Sequence, residues 1–556
     1  MRTKKQEHGL QVQAIAGTHV VLLGWDIVDA QLKKGLLGFA IQRTDHTESE
    51  SYWLRGMKTF PDTKPPLGPG GDASTHEQPI QSWQWADYTA KPVHDYSYMI
   101  VPMYGESGAL TDGDAVTVDV KTEVESGTPH SIFFNRGAVA SQEYARRFQN
   151  KPPNVVGDAA YEWLSRGLLE AIQSFIQRAK DGGYRLRAAI YEFQWPAILD
   201  ELKAAKDRGV DVEIVYDAIQ NSAMDPVKKN NDAIAAAKIK ELCAGFENGK
   251  LMHNKFIVLM KGDAAIAVWT GSTNITENGI FGHLNVGHAV VDPIVAKRYL
   301  DFWNQLQKDP GPDAMRAWID EATPTPPNPP NVGIDEVYSP QTGLQTLDRY
   351  GEIADRAKTG LFMTFAFGMN KVFENVYEQN DDVLRFALME KEGNGKGLVQ
   401  GKIDIARIRQ LPNVLIAIGH NIALNAFDRW LKEASSTVAN ANVRWVHTKF
   451  MLVDPLGDDP IVITGSANFS GASTNTNEEN MLLIRGDKRV ADIYLGEFMR
   501  SFAHYAFREA VYNHAQAGNK ADDWKPQFLA TDDSWVTSYF KAGSAGDRKR
   551  RYFSGS

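Results

Sequence analysis

Two short blocks of this 556-residue chain place the same chemical groups at the same intervals. The first reads His253-Asn254-Lys255-Phe256 and then Gly271-Ser272-Thr273-Asn274; the second reads His447-Thr448-Lys449-Phe450 and then Gly465-Ser466-Ala467-Asn468. Every position of the second stands 194 residues after its counterpart in the first. A lone His-x-Lys carries no information in a chain with 13 histidines, but two copies with matched followers mark an internal duplication with a shared task. On a strand, period-two alternation puts the imidazole and the ammonium on one face, about 7 Å apart along the backbone, so both can address one bound phosphate. Lys255 and Lys449 then supply point charges to its non-bridging oxygens, and Asn274 and Asn468 supply amide donors. Ser272 and Ser466 add hydroxyl bonds to the substrate, and the glycines before them let the backbone come close. A helix after each Gly-Ser-x-Asn turn would contribute free N–H groups and its dipole. Two such sets clamp a phosphodiester from both sides.

These blocks resemble the signature of the phospholipase D superfamily: His-x-Lys, an Asp five positions after the Lys, and Gly-Ser-x-Asn further on. The resemblance covers roughly residues 130–515. It implies two α/β lobes with pseudo-two-fold symmetry and both motifs in one cleft. It also implies that one histidine attacks phosphorus to form a covalent phosphohistidine while the other, protonated, donates to the departing alcohol. Water then cleaves the intermediate, or an alcohol does so in transphosphatidylation. The residues alone leave the choice of nucleophile open between the two histidines; family habit in duplicated single-chain members favours His253, with His447 as the acid. The lysines and asparagines hold the developing charge, and the scheme requires no metal or other cofactor. In the second repeat Asp454 stands five residues after Lys449, and Glu479 lies where the family commonly has a carboxylate that orients an imidazole. The counterparts in the first repeat are Met260 and Asn285. Asn285 is therefore expected beside His253, where it accepts a bond from the ring without raising its basicity, and as a substrate contact with Ser272 and Ser466.

The elements that must position these groups follow from periodicity. From Ser131 onward, strand and helix signals alternate: a helix over Trp163–Lys180 ended by Asp181-Gly182-Gly183, a strand over Arg187–Tyr191, a helix over Ala197–Lys206 and a strand over Val210–Tyr216. This βαβ texture predicts a largely parallel sheet with helices on its faces. After Thr323-Pro324-Thr325-Pro326-Pro327-Asn328-Pro329-Pro330, a stiff extended linker, the pattern returns, with strands over Leu361–Phe367 and Val414–Ile418 and a helix over Asn421–Glu433. Ahead of both lobes, short alternating runs (Val20–Trp25, Leu37–Arg43, Trp53–Phe60, Tyr96–Pro102, Val116–Thr122) predict an all-β sandwich. Its spaced aromatics resemble those of a fibronectin type III or immunoglobulin-like domain, with Tyr96 as the corner tyrosine. The expected organisation is thus a sandwich over 10–123, a first lobe over 131–310, a proline-rich linker over 323–332, a second lobe over 333–515 and a C-terminal extension over 516–556.

Composition bounds the partners. Hydrophobic residues make up 43% of the chain and charged residues 23%, enough to build sizeable cores and to exclude wholesale disorder. The single cysteine, Cys243, excludes an internal disulfide framework and suits a reducing compartment. The charged N-terminus is not followed by an apolar stretch of signal-peptide type, and no run approaches the length of a membrane span, so the expected location is the cytoplasm, with peripheral membrane contact still open. The net charge of −9 offers no general attraction to polyanions, so a phosphate ester must be held by a local basic site. His283 and His288 have no carboxylate or cysteine at ligand spacing, which favours packing or support of the site over metal binding. Arg548-Lys549-Arg550-Arg551 reads as a solvated basic tail, although Tyr552 and Phe553 beside it hint at docking. Trp524, Trp535 and Tyr539 are expected in a core before a lipid-facing patch. The first functional reading is a phospholipase D-type hydrolase acting on a phospholipid head group. The second is a metal-independent endonuclease on DNA or RNA through the same site, and the third a catalytically inactive scaffold.

Overall fold

The computed structural model describes residues 1–67, 71–137, 141–220, 226–393, 397–419, 446–517 and 527–556. The expected helix over 421–433 and Trp524 lie outside the described residues, as does part of the Pro/Gly-rich stretch after Lys64.

A β-rich unit comes first. One sheet runs, in order, Arg2–Glu7, Leu10–Ala16, Val21–Ile27 and Gln84–Asp87. Facing it, the long strand Asp95–Glu106 pairs with Gly38–Asp45 on one edge and with Ala109–Asp112 and Val116–Lys121 on the other, and Glu50–Trp53 extends the sheet beyond Gly38–Asp45. Alternation decides which side chains face in: Val116, Val118 and Val120 are buried while Asp119 and Lys121 face water. The unit starts at Arg2 and not at residue 10, because Arg2–Glu7 is a polar edge strand that apolar patterning cannot reveal. It folds back through His8-Gly9, both at positive φ, the requirement of a tight hairpin turn. Of the strand expected over Trp53–Phe60, only Trp53, the end of Glu50–Trp53, and the short Arg55–Gly56, paired with Ala73–Ser74, are strand. The Tyr96 hydroxyl accepts the Lys91 backbone N–H at 3.0 Å, five residues upstream.

Two seven-stranded sheets follow. The first is ordered His130–Phe134, Val286–Val290, Ala264–Gly271, Lys255–Lys261, Tyr184–Ile190, Asp211–Asp217, Cys243–Phe246. The second is ordered Gly333–Ser339, Glu479–Arg485, Ile461–Gly465, Phe450–Val453, Gly360–Phe365, Leu384–Met389, Val414–Ile418. Strand for strand the order and sense agree. Neither sheet is largely parallel, which corrects the expectation from βαβ texture. Only Tyr184–Ile190, Asp211–Asp217 and Cys243–Phe246, and their counterparts, pair in parallel. The strands that follow each His-x-Lys are joined by connections too short for a crossover, such as Gly262-Asp263, and these force antiparallel pairing. The helix expected over Trp163–Lys180 is two, Asp158–Ser165 and Leu168–Gln177, broken where Arg166 and Gly167 take left-handed backbone.

The lobes share one continuous core. Tyr299, on helix Pro293–Gln307 of the first lobe, packs on Phe256 at 5.1 Å and reaches Tyr338 of the second lobe at 5.4 Å. Tyr494, on helix Lys488–Gln516 of the second, packs on Phe450 at 5.2 Å and reaches Phe134 of the first at 5.1 Å. The proline-rich connection is held on the second lobe, where Arg349 and Arg485 donate to the carbonyls of Pro326 and Pro330. No helix among the described residues is long and apolar enough to cross a membrane.

The C-terminal basic run is not a free tail. It forms helix Ala545–Ser554, wedged between the β-rich unit and the second lobe. Arg550 is buried between Asp26 and Asp547, Arg548 pairs with Asp382, and Arg551 pairs with Asp547. Tyr552 lies tilted against Phe362, while Trp535 and Phe540 pack on Trp83 of the β-rich unit. The helix lies so close to strand Val21–Ile27 that a Cβ on Gly24 would overlap the Phe553 backbone. Gly24→Ala therefore undocks the helix, and trypsin should cut within Arg548–Arg551 at least ~10-fold faster than in wild type; an unchanged cleavage rate refutes the docking role.

Candidate active site

The two half-sites meet at the lobe interface through four reciprocal backbone segments. Met252 bridges in parallel to Glu478, and Val446 bridges in parallel to Leu284. The second pair repeats the first with the lobes exchanged. Backbone bonds from His253 N–H to the Glu478 carbonyl (2.9 Å) and from Glu478 N–H to the Leu251 carbonyl (3.0 Å) lock the first crossing. The motif glycines make room for this: a Cβ on Gly271 would overlap the Val286 carbonyl, and one on Gly465 the Asn480 carbonyl. That closeness lets Ser272 and Ser466 donate their backbone N–H groups to those same carbonyls at 3.0 and 2.9 Å.

The imidazoles of His253 and His447 face each other, with ring centroids 6.4 Å apart and planes at 73°. Their partners cross between the lobes. His253 Nδ1–H donates to Glu479 Oε2 at 2.7 Å, and His447 Nδ1–H donates to Asn285 Oδ1 at 2.9 Å. This corrects the expectation that Asn285 would serve His253. Each strand that follows a Gly-Ser-x-Asn turn delivers its residue to the other lobe's histidine, because the segments at 252 and 478, and at 446 and 284, pair across the interface. The crossing leaves the Nε2 atom of each ring for the space between them.

Ser272, Ser466 and Asn285 are fully buried, and their polar groups are engaged inside the protein. Ser272 Oγ donates to Asn285 Oδ1 at 2.8 Å and accepts from Val286 N–H; Asn285 Nδ2 donates to the Gly279 carbonyl; Ser466 Oγ accepts from Asn480 N–H at 3.0 Å. They brace the imidazole partners, which replaces the expectation of direct substrate contact. The helices expected after each turn are five-residue turns, Asn278–Gly282 and Gly471–Asn475, too short to present a dipole. Asp454 caps the neighbouring strand, accepting from the backbone N–H groups of Lys358, Thr359 and Gly360.

The lysines stand beside the histidines, Lys255 Nζ donating to the His253 carbonyl and Lys449 Nζ to the His447 carbonyl, each at 2.5 Å. Asn274 Nδ2 donates to Glu192, and the Oδ1 atoms of Asn274 and Asn468 have no partner among the described residues. Two ammonium groups and two imidazoles thus surround a space whose nearest compensating charge is Glu479. Burial pushes His253 down to about 4 against the pull of Glu479, and Lys255 down to about 7 against Glu479 and Glu192. Burial, then Lys449 and His283, drive His447 well below its ordinary value; burial and Lys255 do the same to Lys449. Burial pushes Glu479 up, but His253 and Lys255 outweigh it and hold it below the usual carboxylate range. Burial disfavours the charged form of each of these groups, the condition that a bound anion reverses.

Three participants carried no signal in the motifs. Glu192 follows the strand beside Lys255 and reaches Asn274 from outside either block. Asn480, next to Glu479, is bound by Asn254, Thr270 and Tyr299 of the first lobe and so anchors the carboxylate across the interface. His283 lies 5.7 Å from the His447 ring, whereas His288 is buried away from the site, bonded to His130 and Tyr494. The sequence offers His283 and His288 alike for packing or support of the site; only the fold separates them.

The family model described as cardiolipin synthase, PLD-like domain, matches residues 172–306 and 417–502. No curated protein sequence matches the chain. Among solved structures, the chain is similar to phosphatidylserine synthase of Haemophilus influenzae (11% identity over 64% of this chain and 92% of that one, TM-score 0.42). It is also similar to Nuc, a phospholipase D family member from Salmonella typhimurium (28% identity over 25% of this chain and 86% of that one, TM-score 0.21). Polyphosphate kinase of Porphyromonas gingivalis matches at 10% identity over 57% of this chain, which spans 43% of that enzyme's length, with a TM-score of 0.37. Both half-sites fall within the two segments that the family model matches, so these segments carry a PLD-like domain.

Proposed function

We propose that this protein is a phosphodiesterase that works through a covalent phosphohistidine on His253, with a phospholipid head-group ester as its substrate. The observation that carries the reading is the asymmetry of the crossed pairs: His253 is backed by a carboxylate and His447 by a neutral amide. A carboxylate on Nδ1–H makes Nε2 the better nucleophile and stabilises the cationic ring of the phosphohistidine. An amide oxygen orients His447 without holding its proton, which suits a group that must give that proton to the leaving alkoxide.

In the first step the His253 Nε2 lone pair forms the P–N bond as the P–O bond to the alcohol breaks, and His447 protonates the departing oxygen. In the second, water attacks phosphorus, His447 takes its proton and the P–N bond breaks, returning both rings to their starting states. Lys255, Lys449, Asn274 and Asn468 line the space in which the phosphoryl oxygens gain charge. Glu479 and Asn285 position the rings, with Ser272 and Ser466 behind them. The lipid reading is supported by the matched family's description and by the acidic net charge. The equal strand orders support a pseudo-two-fold relation between lobes over about 131–310 and 333–515, and the Tyr96–Lys91 bond supports a fibronectin type III or immunoglobulin-like sandwich that buttresses them.

Purified protein in EDTA should release head group from phosphatidylcholine vesicles and leave plasmid and single-stranded DNA intact. DNA cleavage without lipid turnover would move the assignment to a nuclease, and no turnover of either substrate or of a chromogenic diester would leave an inactive scaffold. His253→Ala and His447→Ala should each lower turnover by about 10³-fold or more. The His447 variant should trap an acid-labile, base-stable phosphoryl group on His253; trapping on His447 in the His253 variant would reverse the roles. Because an anion raises the lowered values of Lys255, Lys449 and both imidazoles, binding takes up protons. Lys255 sheds its proton in the free site as the pH rises through about 7, so sulfate affinity measured by calorimetry should fall above that pH, by up to about tenfold per pH unit per proton. A pH-independent affinity would remove the anion-site argument.

A further inference from the structure

One titratable group in the cleft has no task in the two-step scheme. His283 follows the Asn278–Gly282 turn, and its backbone is held on both sides: its N–H donates to the Asn278 carbonyl at 2.8 Å, and its carbonyl accepts from Asn135 Nδ2 at 2.7 Å. The extended segment His283-Leu284-Asn285 pairs through Leu284 with Val446, so period-two alternation turns both His283 and Asn285 toward His447. Asn285 takes the Nδ1 side of that ring. The His283 ring stands 5.7 Å from it, centroid to centroid, at 40°. Both His283 nitrogens are buried, and among the described residues neither has a hydrogen-bond partner.

The duplicate position behaves differently. Asn477 stands 194 residues after His283 and donates Nδ2 to Glu479 Oε1 at 3.3 Å, bracing the carboxylate that serves His253. Asn285 needs no such brace, since Ser272 and Gly279 already hold it. The residue two places before it is therefore released to face the cleft, on the side where His447 handles the leaving and entering oxygens.

We infer that His283 binds the water that cleaves the phosphohistidine, and so selects water over an alcohol as acceptor; this rests on the reading above. A neutral imidazole can accept one hydrogen bond through its unprotonated nitrogen. Burial and Lys449 keep His283 in that form, down to about 4. Water has two protons: His447 Nε2 removes one as the P–O bond forms and the P–N bond to His253 breaks, while the other stays on the oxygen and donates to His283. An alcohol has a single hydroxyl proton and leaves one of the two imidazoles unmatched, an arrangement that costs selectivity against it.

The test measures, for the full-length protein with a chromogenic phosphodiester in water containing ethanol, the ratio of hydrolysed to ethyl-transferred product. His283→Ala should shift this ratio toward transfer by ~10-fold, with hydrolysis slowed more than release of the first alcohol. His283→Asn and His283→Gln restore an acceptor near the positions of Nδ1 and Nε2, and at least one should bring the ratio back toward wild type; these variants also serve if the alanine form does not fold. An unchanged ratio in all three, or loss of both half-reactions in parallel, overturns the inference while leaving the two-histidine scheme standing. No product of either kind from the wild type would instead overturn that scheme, and the inference with it.

Discussion

The bond from His253 to Glu479 joins residues of different lobes, and most of the architecture can be understood as what that bond requires. A hydrogen bond of 2.7 Å between buried groups tolerates little displacement. The two lobes must hold their relative position to within a fraction of an ångström. The parallel bridges at Met252–Glu478 and Val446–Leu284 set that position locally, and Asn480, gripped by three first-lobe side chains, repeats the constraint one residue away. Behind them the interlobe aromatics, Tyr299 on Tyr338 and Tyr494 on Phe134, sit in a single apolar core. Close packing of this kind is what makes an interface resist sliding. The site is a property of the pair of lobes; neither lobe contains a complete imidazole and partner.

The same site is electrostatically unfavourable as it stands. Lys255, Lys449, His253 and His447 converge where burial removes solvent and Glu479 is the nearest opposing charge. Burial disfavours the charged forms of these groups, so their repulsion is relieved by losing protons. Such destabilisation is common where function needs groups in positions that folding alone would not choose. Glu478 extends the pattern: burial and the nearby Asp217 carboxylate drive it well above the ordinary range, while its backbone does the structural work of the interlobe bridge.

The β-rich unit and the C-terminal helix form a third body of structure that touches neither histidine. The helix Ala545–Ser554 inserts Phe553 against Gly24 on one side and Tyr552 near Phe362 on the other, tying the first strands of the chain to the second lobe with its last turn. Arg2 adds a tie at the opposite end of the sequence, donating to Asp492 and to the carbonyls of Pro455 and Leu456. Charge that reads in sequence as a solvated basic tail is paired with Asp26, Asp382 and Asp547.

By itself the sequence determined which chemical groups the chain carries at matched spacing and that they are duplicated. His-x-Lys followed by Gly-Ser-x-Asn is local, and the 194-residue interval is visible without any fold. The short strands of the β-rich unit and Val414–Ile418 were legible because alternation and apolar runs are properties of adjacent residues. What the sequence left open depends on contacts between distant segments. Sheet sense was misread because a βαβ rhythm was extended over strands that are in fact joined by tight turns. The polar strand Arg2–Glu7 was missed because pairing, not hydrophobicity, makes it a strand. Above all, which residue serves which histidine was read within each repeat, where Asn285 belongs to His253, whereas folding exchanges the partners. That exchange follows from two lobes with the same strand order meeting through the segments that lead into their interior strands, so that each presents its post-motif strand to the other; no spacing along one chain encodes which copy a strand will face, and only tertiary packing could decide it.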